Sequence, residues 1–231
     1  MKRGLIFLPF LLLIILNHTV TAGETGWTEK KLGKVILKAE KAARQKQWPR
    51  AIRYGELILE GVQTLNQKSD PRYINQLRNL NKFYDNANRL DDIAARVEEA
   101  YGLSQKHMGP AHETTIRSRI LYYKLLISRK EYLAAIPLVL ENISILGETK
   151  DENVKRLHYL KQLYSLYRMT GQLEKEEKTL LQFLDIDKRV FGSADEDNIK
   201  IILNLANNYC RQKKIDPFNQ LMATHKLKYK C

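Results

Sequence analysis

Residues 122–135, YYKLLISRKEYLAA, carry the pattern that decides the fold. Tyr122 and Leu126 stand four apart, the spacing that places side chains on one helical face. A polar stretch, Ser128-Arg129-Lys130-Glu131, interrupts the apolar run, which resumes at Tyr132 with the small Ala135 three residues on. The arrangement recurs at 80–93 (LNKFYDNANRLDDI), 163–176 (LYSLYRMTGQLEKE) and 205–218 (LANNYCRQKKIDPF). The residues that follow each break are Trp48, Leu90, Tyr132, Leu173 and Ile215, spaced by 42, 42, 41 and 42. A fixed period of this size marks a repeat architecture.

Counting back from these landmarks exposes a buried stripe. Leu80, Tyr122, Leu163 and Leu205 stand ten residues before, and Tyr84, Leu126, Tyr167 and Tyr209 six before. Three residues after stand Ala51, Ile93, Ala135 and Glu176, so small or apolar side chains hold three of these four places. The first unit is weaker, with Lys38 and Ala42 at its two upstream places. Turns separate the units around Lys68–Pro71, Met108–Pro110, Leu146–Glu148 and Phe191–Ser193. Pro71, Pro110 and Pro217 are expected in first helical turns, where a missing N–H costs nothing. Gly147 and Gly192 are expected just beyond second helices.

Each unit therefore reads as a helix–turn–helix hairpin that cannot bury its own apolar face and must stack on its neighbours. The expected fold class is all-α, a superhelical solenoid of antiparallel helix hairpins. The units run about 28–69, 70–108, 109–148, 149–193 and 194–231 in a single domain, 23–231.

On these residues the chain resembles the tetratricopeptide-repeat family, in its 42-residue kinesin-light-chain-like form. His107-Met108-Gly109-Pro110-Ala111-His112-Glu113 resembles the loop that joins one unit of that form to the next, and ILGETKDENV (145–154) and VFGSADEDN (190–198) look like the same loop without its proline and histidine. LHYLKQLYSLY (157–167) and LNLANNY (203–209) resemble the unit's first helix. The resemblance spans about 28–215, with Glu176 as a departure from the small residue. It implies a non-catalytic module for protein–protein interaction, in which a partner segment lies along a concave groove of first helices.

The helical face opposite the core holds the positions 15, 11 and 8 before each landmark. These are Asn75, Asn79 and Lys82; Arg117, Leu121 and Lys124; His158, Gln162 and Ser165; and Lys200, Asn204 and Asn207. None of the twelve is acidic and four are Lys or Arg. Amide side chains can pair with both polar groups of an extended backbone, and the cations favour an acidic partner.

The chain is basic, with 39 Lys+Arg against 26 Asp+Glu. Its 44% hydrophobic content excludes disorder. Residues 1–22, MKRGLIFLPFLLLIILNHTVTA, read as a cleaved signal peptide: Lys2 and Arg3, an apolar run Gly4–Leu16, then Val20-Thr21-Ala22. That run is shorter than the roughly 20 residues of a spanning helix, although retention as an anchor stays open. Loss of Lys2 and Arg3 leaves 37 basic residues against 26 acidic. Export makes nucleic acid an unsuitable partner and a periplasmic location the first expectation, with secretion the alternative. The competing function is association of the basic surface with anionic lipid or cell-envelope glycan.

Nothing in the sequence points to catalysis, a metal or a cofactor. His107 and His112 straddle Gly109-Pro110 and read as a helix boundary, while Asp91-Asp92 and Asp195-Glu196-Asp197 suit helix starts. Asn142-Ile143-Ser144 fits a glycosylation acceptor within a helical pattern. Cys210 and Cys231 would be far apart if 216–229 formed one returning helix, roughly 20 Å at 1.5 Å per residue. No intramolecular disulfide is expected unless the tail folds back, leaving free thiols or an intermolecular bridge through Cys231. A homo-oligomer is permitted but not implied.

Overall fold

The computed structural model describes residues 26–192 and 196–231, without the side chains of 196 and 197. The leader 1–22, the cleavage point before Gly23, Asp195 and the side chains of Glu196 and Asp197 lie outside the described residues. Ten α-helices are found among those described, and no strand. They pair as α1 (Glu29–Arg44) with α2 (Trp48–Leu65), α3 (Pro71–Asn86) with α4 (Ala94–Met108), and α5 (Glu113–Ser128) with α6 (Tyr132–Ser144). The series continues with α7 (Lys150–Met169) and α8 (Leu173–Phe191), then α9 (Glu196–Arg211) and α10 (Ile215–His225). Among the described residues no helix is long and apolar enough to cross a membrane.

Every landmark opens a second helix. Trp48, Tyr132, Leu173 and Ile215 begin α2, α6, α8 and α10, and Leu90 begins a short 3-10 turn, Leu90–Ile93, that runs into α4. The break before each landmark is a Schellman end to the first helix. The residue two before the landmark takes left-handed backbone in all five pairs: Lys46 (φ 55°), Asn88 (56°), Lys130 (60°), Gly171 (71°) and Lys213 (59°). The amide one before the landmark then reaches the carbonyl five residues back, as in Gln47 N to Ala42 O (2.9 Å), Glu131 N to Leu126 O (2.8 Å) and Lys214 N to Tyr209 O (2.9 Å). These bonds satisfy carbonyls that a helix end would otherwise orphan.

Helix starts are capped by side chains. Thr28 and Asp70 accept from Lys31 N and Arg72 N, and Pro71 opens α3. Thr149 and Glu152 form a reciprocal capping box at α7, and the Thr149 hydroxyl bond, followed by backbone amides, holds the exposed Glu152 carboxyl below the usual range. Pro110 departs from expectation: it precedes α5, whose cap is His112, with Nδ1 accepting from Thr114 N. Its carbonyl instead accepts from the buried Arg119.

The core forms where stripes from successive units meet. One apolar cluster links Leu32, Ile58, Val62, Ile74, Leu77 and Leu80; a second joins Leu90, Ile93, Val97, Leu121 and Leu125. The largest runs from Leu126 and Val139 through Leu160, Leu163, Leu180 and Phe183 to Leu205, Tyr209, Phe218 and Met222. Burying each such side chain stabilises the fold by about 1.5–3 kcal/mol.

Glu176 sits in the place reserved for a small residue and is fully buried. It is not orphaned: Arg168 Nε lies 2.7 Å from its Oε1, and Asn208 Nδ2 (3.0 Å) and Arg211 Nη1 (3.2 Å) reach Oε2. The last two units are therefore joined by a charged knot. Arg119, thirteen before Tyr132, is likewise buried where the neighbouring units place Leu77, Leu160 and Ile202. It spans Glu141, Asn142 Oδ1 (2.7 Å) and Pro110 O (2.8 Å). Asn142 is thus buried and occupied, which argues against its role as a glycosylation acceptor.

The expectation for the cysteines is overturned. Cys210 and Cys231 form a disulfide with a Cα–Cα distance of 5.3 Å. Helix α10 stops at His225, earlier than the rod assumed from sequence, and Lys226 turns the chain with left-handed backbone (φ 51°). The tail then folds back beside Phe218, whose ring lies 6.2 Å from that of Tyr229.

Candidate groove face on the first helices

Adjacent first helices touch through side chains at the positions assigned to the groove. Asn75 Oδ1 accepts from Thr114 Oγ1 (2.6 Å), Lys124 Nζ meets Asp85 (2.6 Å), and Asn204 Oδ1 accepts from Arg168 Nη2 (3.0 Å). Part of the expected face is therefore occupied in joining α3 to α5 and α7 to α9. Lys82, Arg117, Lys124, His158 and Lys200 are exposed, while Asn79, Gln162 and Asn207 are half-buried. His158 shares a 3.1 Å hydrogen bond with Gln162. Asn79 borders a small hollow of about 70 Å³ with Ile36, Gly55 and Phe83. Leu121 is the exception, buried against the Leu90 cluster.

The charge of the face also needs correction. Counting only the twelve positions hides acids from the neighbouring ones: Asp85 pairs with Lys124, and Glu113 with Arg117 at 2.6 Å. Two of the four expected cations are thus compensated inside the molecule.

What sequence reasoning missed lies one residue away. A 3.6-residue period puts the position twelve before each landmark on the same face as those fifteen and eight before. That position holds Ile36, Arg78, Ile120, Lys161 and Leu203. Between α3 and α5 it opens a cleft of about 210 Å³ lined by Arg78, Lys82, Asp85, Asn86, Arg117, Ile120 and Leu121. Arg78 Nε is buried there with no hydrogen-bond partner. Burial first, and then the charge of Arg117, draws Arg78 below the ordinary arginine range, with Glu113 opposing. The cleft sets a half-buried cation, with its Nε unpaired, against an apolar wall. Among the described residues no group of three His, Cys, Asp or Glu side chains gathers to hold a metal.

Comparison of the coordinates with solved structures returns helical repeat proteins. A kinesin-light-chain-type chain of Podosopora anserina with nearly identical TPR-like repeats superimposes with a TM-score of 0.62 at 16% identity, covering 83% of this chain and 93% of that one. BtubC of P. vanneervenii gives 0.54 at 14% identity, over 87% and 84%. The MamA protein gives 0.53 at 15% identity, over 88% and 100%. The chain has the tetratricopeptide-like solenoid fold. No family model matches its sequence, and no curated protein does either. In a tetratricopeptide-like solenoid the first helices make one continuous face, and here the α3–α5 cleft lies on it.

Proposed function

We propose that this solenoid is an exported, non-catalytic scaffold that holds an acidic segment of a partner protein along its first-helix face. The observation that carries the reading is the Arg78 guanidinium, its Nε buried and unpaired beside Lys82 and Arg117 in the α3–α5 cleft. A buried donor without a partner costs about 1–3 kcal/mol, a cost that a ligand carboxylate would remove on binding. Amides at Asn79, Gln162 and Asn207 supply backbone partners further along the face, and Ile120 an apolar contact.

The Cys210–Cys231 disulfide supports a location outside the cytoplasm, since such bonds persist in oxidising compartments. It agrees with the signal-peptide reading of 1–22 and with periplasmic residence, or secretion. The 42-residue spacing supports kinship with the kinesin-light-chain-like repeats.

The test is crosslinking and pull-down from the native compartment, comparing the natural chain with R78E/K82E/R117E. The natural chain should capture a partner that the triple variant loses, and the capture should weaken with salt. Equal capture by both chains, at equal helicity, would remove the groove from the function.

A further inference from the structure

The two ends of the solenoid are closed by different means. At the C-terminal end the tail folds back over Phe218 and is fixed by the disulfide. At the N-terminal end no described helix precedes α1, so the side of α1 that a preceding second helix would cover faces outward. In the other units the positions 17, 14, 10 and 7 before the landmark are buried or half-buried there, as at Tyr73, Ser118, Leu163 and Leu166. In α1 those four positions are Lys31, Lys34, Lys38 and Lys41, and all four are exposed. Spacings of three, four and three residues put them in one row.

A solubilising cap needs polar residues but not a single sign. Here the whole row is cationic, and among the described residues no carboxylate pairs with any of the four; Glu40, on the neighbouring strip, is opposite Arg44 at 3.9 Å. At its C-terminal end the row runs into a cleft of about 310 Å³ where Lys38 and Lys41 face Arg50 and Tyr54. The row is about 15 Å long at 1.5 Å per residue. That length exceeds a small anion and suits an extended surface of phosphate charges with one headgroup in the cleft.

We infer that the N-terminal end of the solenoid docks on an anionic phospholipid surface through Lys31, Lys34, Lys38 and Lys41. Juxtaposed lysines are drawn to such a surface additively and at short range. Docked end-on, the solenoid would extend away from the bilayer with its first-helix face open to the side, leaving the groove free.

Among the described residues the apolar clusters begin at Trp27, and a chain beginning at Gly23 contains all of them. That chain should co-sediment with vesicles of about 30% phosphatidylglycerol in phosphatidylcholine, at roughly physiological salt, and not with phosphatidylcholine alone. K31Q/K34Q/K38Q/K41Q should weaken the binding at least about tenfold. K226Q/K228Q/K230Q, which removes three charges from the other end, should leave it nearly unchanged. Trp27 provides a second readout, since Lys31 Nζ lies 4.6 Å from its ring; its emission should shift on anionic vesicles. Failure of the natural chain to bind anionic vesicles, equal weakening by both variants, or unaltered binding by the α1 variant would each overturn the inference. So would lysine-dependent binding of polyglutamate without vesicle binding, which would assign the row to a protein partner.

Discussion

The Cα of Cys231 lies 5.3 Å from that of Cys210, so the last residue of the sequence is tied to the last full helix of the solenoid. The bond closes a sequence separation of 21 residues that contains all of α10. On the chain-entropy estimate a loop of that size adds about 3 kcal/mol. Cys231→Ser should therefore lower the stability of the α9–α10 hairpin by roughly this amount, with far less effect on α1–α4, because repeat arrays open locally. Hydrogen exchange read helix by helix checks it, and an intact mass two hydrogens below the reduced value checks the bond itself. Uniform acceleration across all helices would contradict the local assignment.

Lys130 occupies left-handed backbone (φ 60°) in the turn that Gly171 fills in the next unit. A side chain there costs about 1–2 kcal/mol relative to glycine, partly offset by the greater freedom glycine has when unfolded. Lys130→Gly should stabilise the protein by about 1 kcal/mol, and Gly171→Lys should destabilise it similarly. Urea midpoints of the two variants measure this; a loss of stability in Lys130→Gly would mean that Lys130 makes a contact worth more than the strain.

Arg119 is enclosed by Glu141, Asn142 and the Pro110 carbonyl. Arg119→Leu would restore the apolar residue of the other units but leave the Glu141 carboxylate with only Tyr101 and Gln105, and strip Asn142 Oδ1 and the Pro110 carbonyl of their donor. Loss of one partner from a buried pair costs about 3–5 kcal/mol. Because Glu141 retains some exposure, the lower figure applies. The double variant R119L/E141L should recover most of that loss, giving a coupling energy of at least about 1 kcal/mol in a double-mutant cycle. Additive losses would show that the pair is not a unit.

The helix pairs were legible because the first-helix end is a fixed device: a left-handed residue, a six-to-one hydrogen bond, then an apolar landmark. Any of Lys, Asn or Gly serves at the left-handed place, so the signal lay in the spacing rather than in a glycine. The charged core residues were harder to read. Arg119 and Glu176 interrupt the apolar register, and their partners Glu141, Asn208 and Arg211 lie 22 to 35 residues away, beyond the reach of a periodic pattern. Cross-helix partners of the expected groove positions, such as Asp85 for Lys124, could not be seen by counting within one helix. The tail failed for a different reason: the sequence shows no glycine where Lys226 ends α10, so the helix was drawn too long and the disulfide was missed.

Burial, reinforced by its bond to Glu141 and opposed by Arg119, pushes the Tyr101 hydroxyl up to about 12 from an ordinary 10.0. The neutral phenol is thus favoured in the folded state. The stabilisation is complete below pH 10 and is lost as pH rises from 10 toward 12, because the unfolded chain releases its proton first. The shift corresponds to about 2.7 kcal/mol, and partial exposure reduces this to roughly 2 kcal/mol. Tyr101→Phe has no proton to lose. The natural chain should therefore lose about 1 kcal/mol more than Tyr101→Phe between about pH 9 and pH 11, compared by urea midpoints. Tyr73, Tyr123, Tyr167 and Tyr209 are also raised chiefly by burial, so both chains should weaken in alkali. Parallel curves for the two would show that Tyr101 ionises equally in the folded and unfolded chain, and that its bond to Glu141 does not hold the proton.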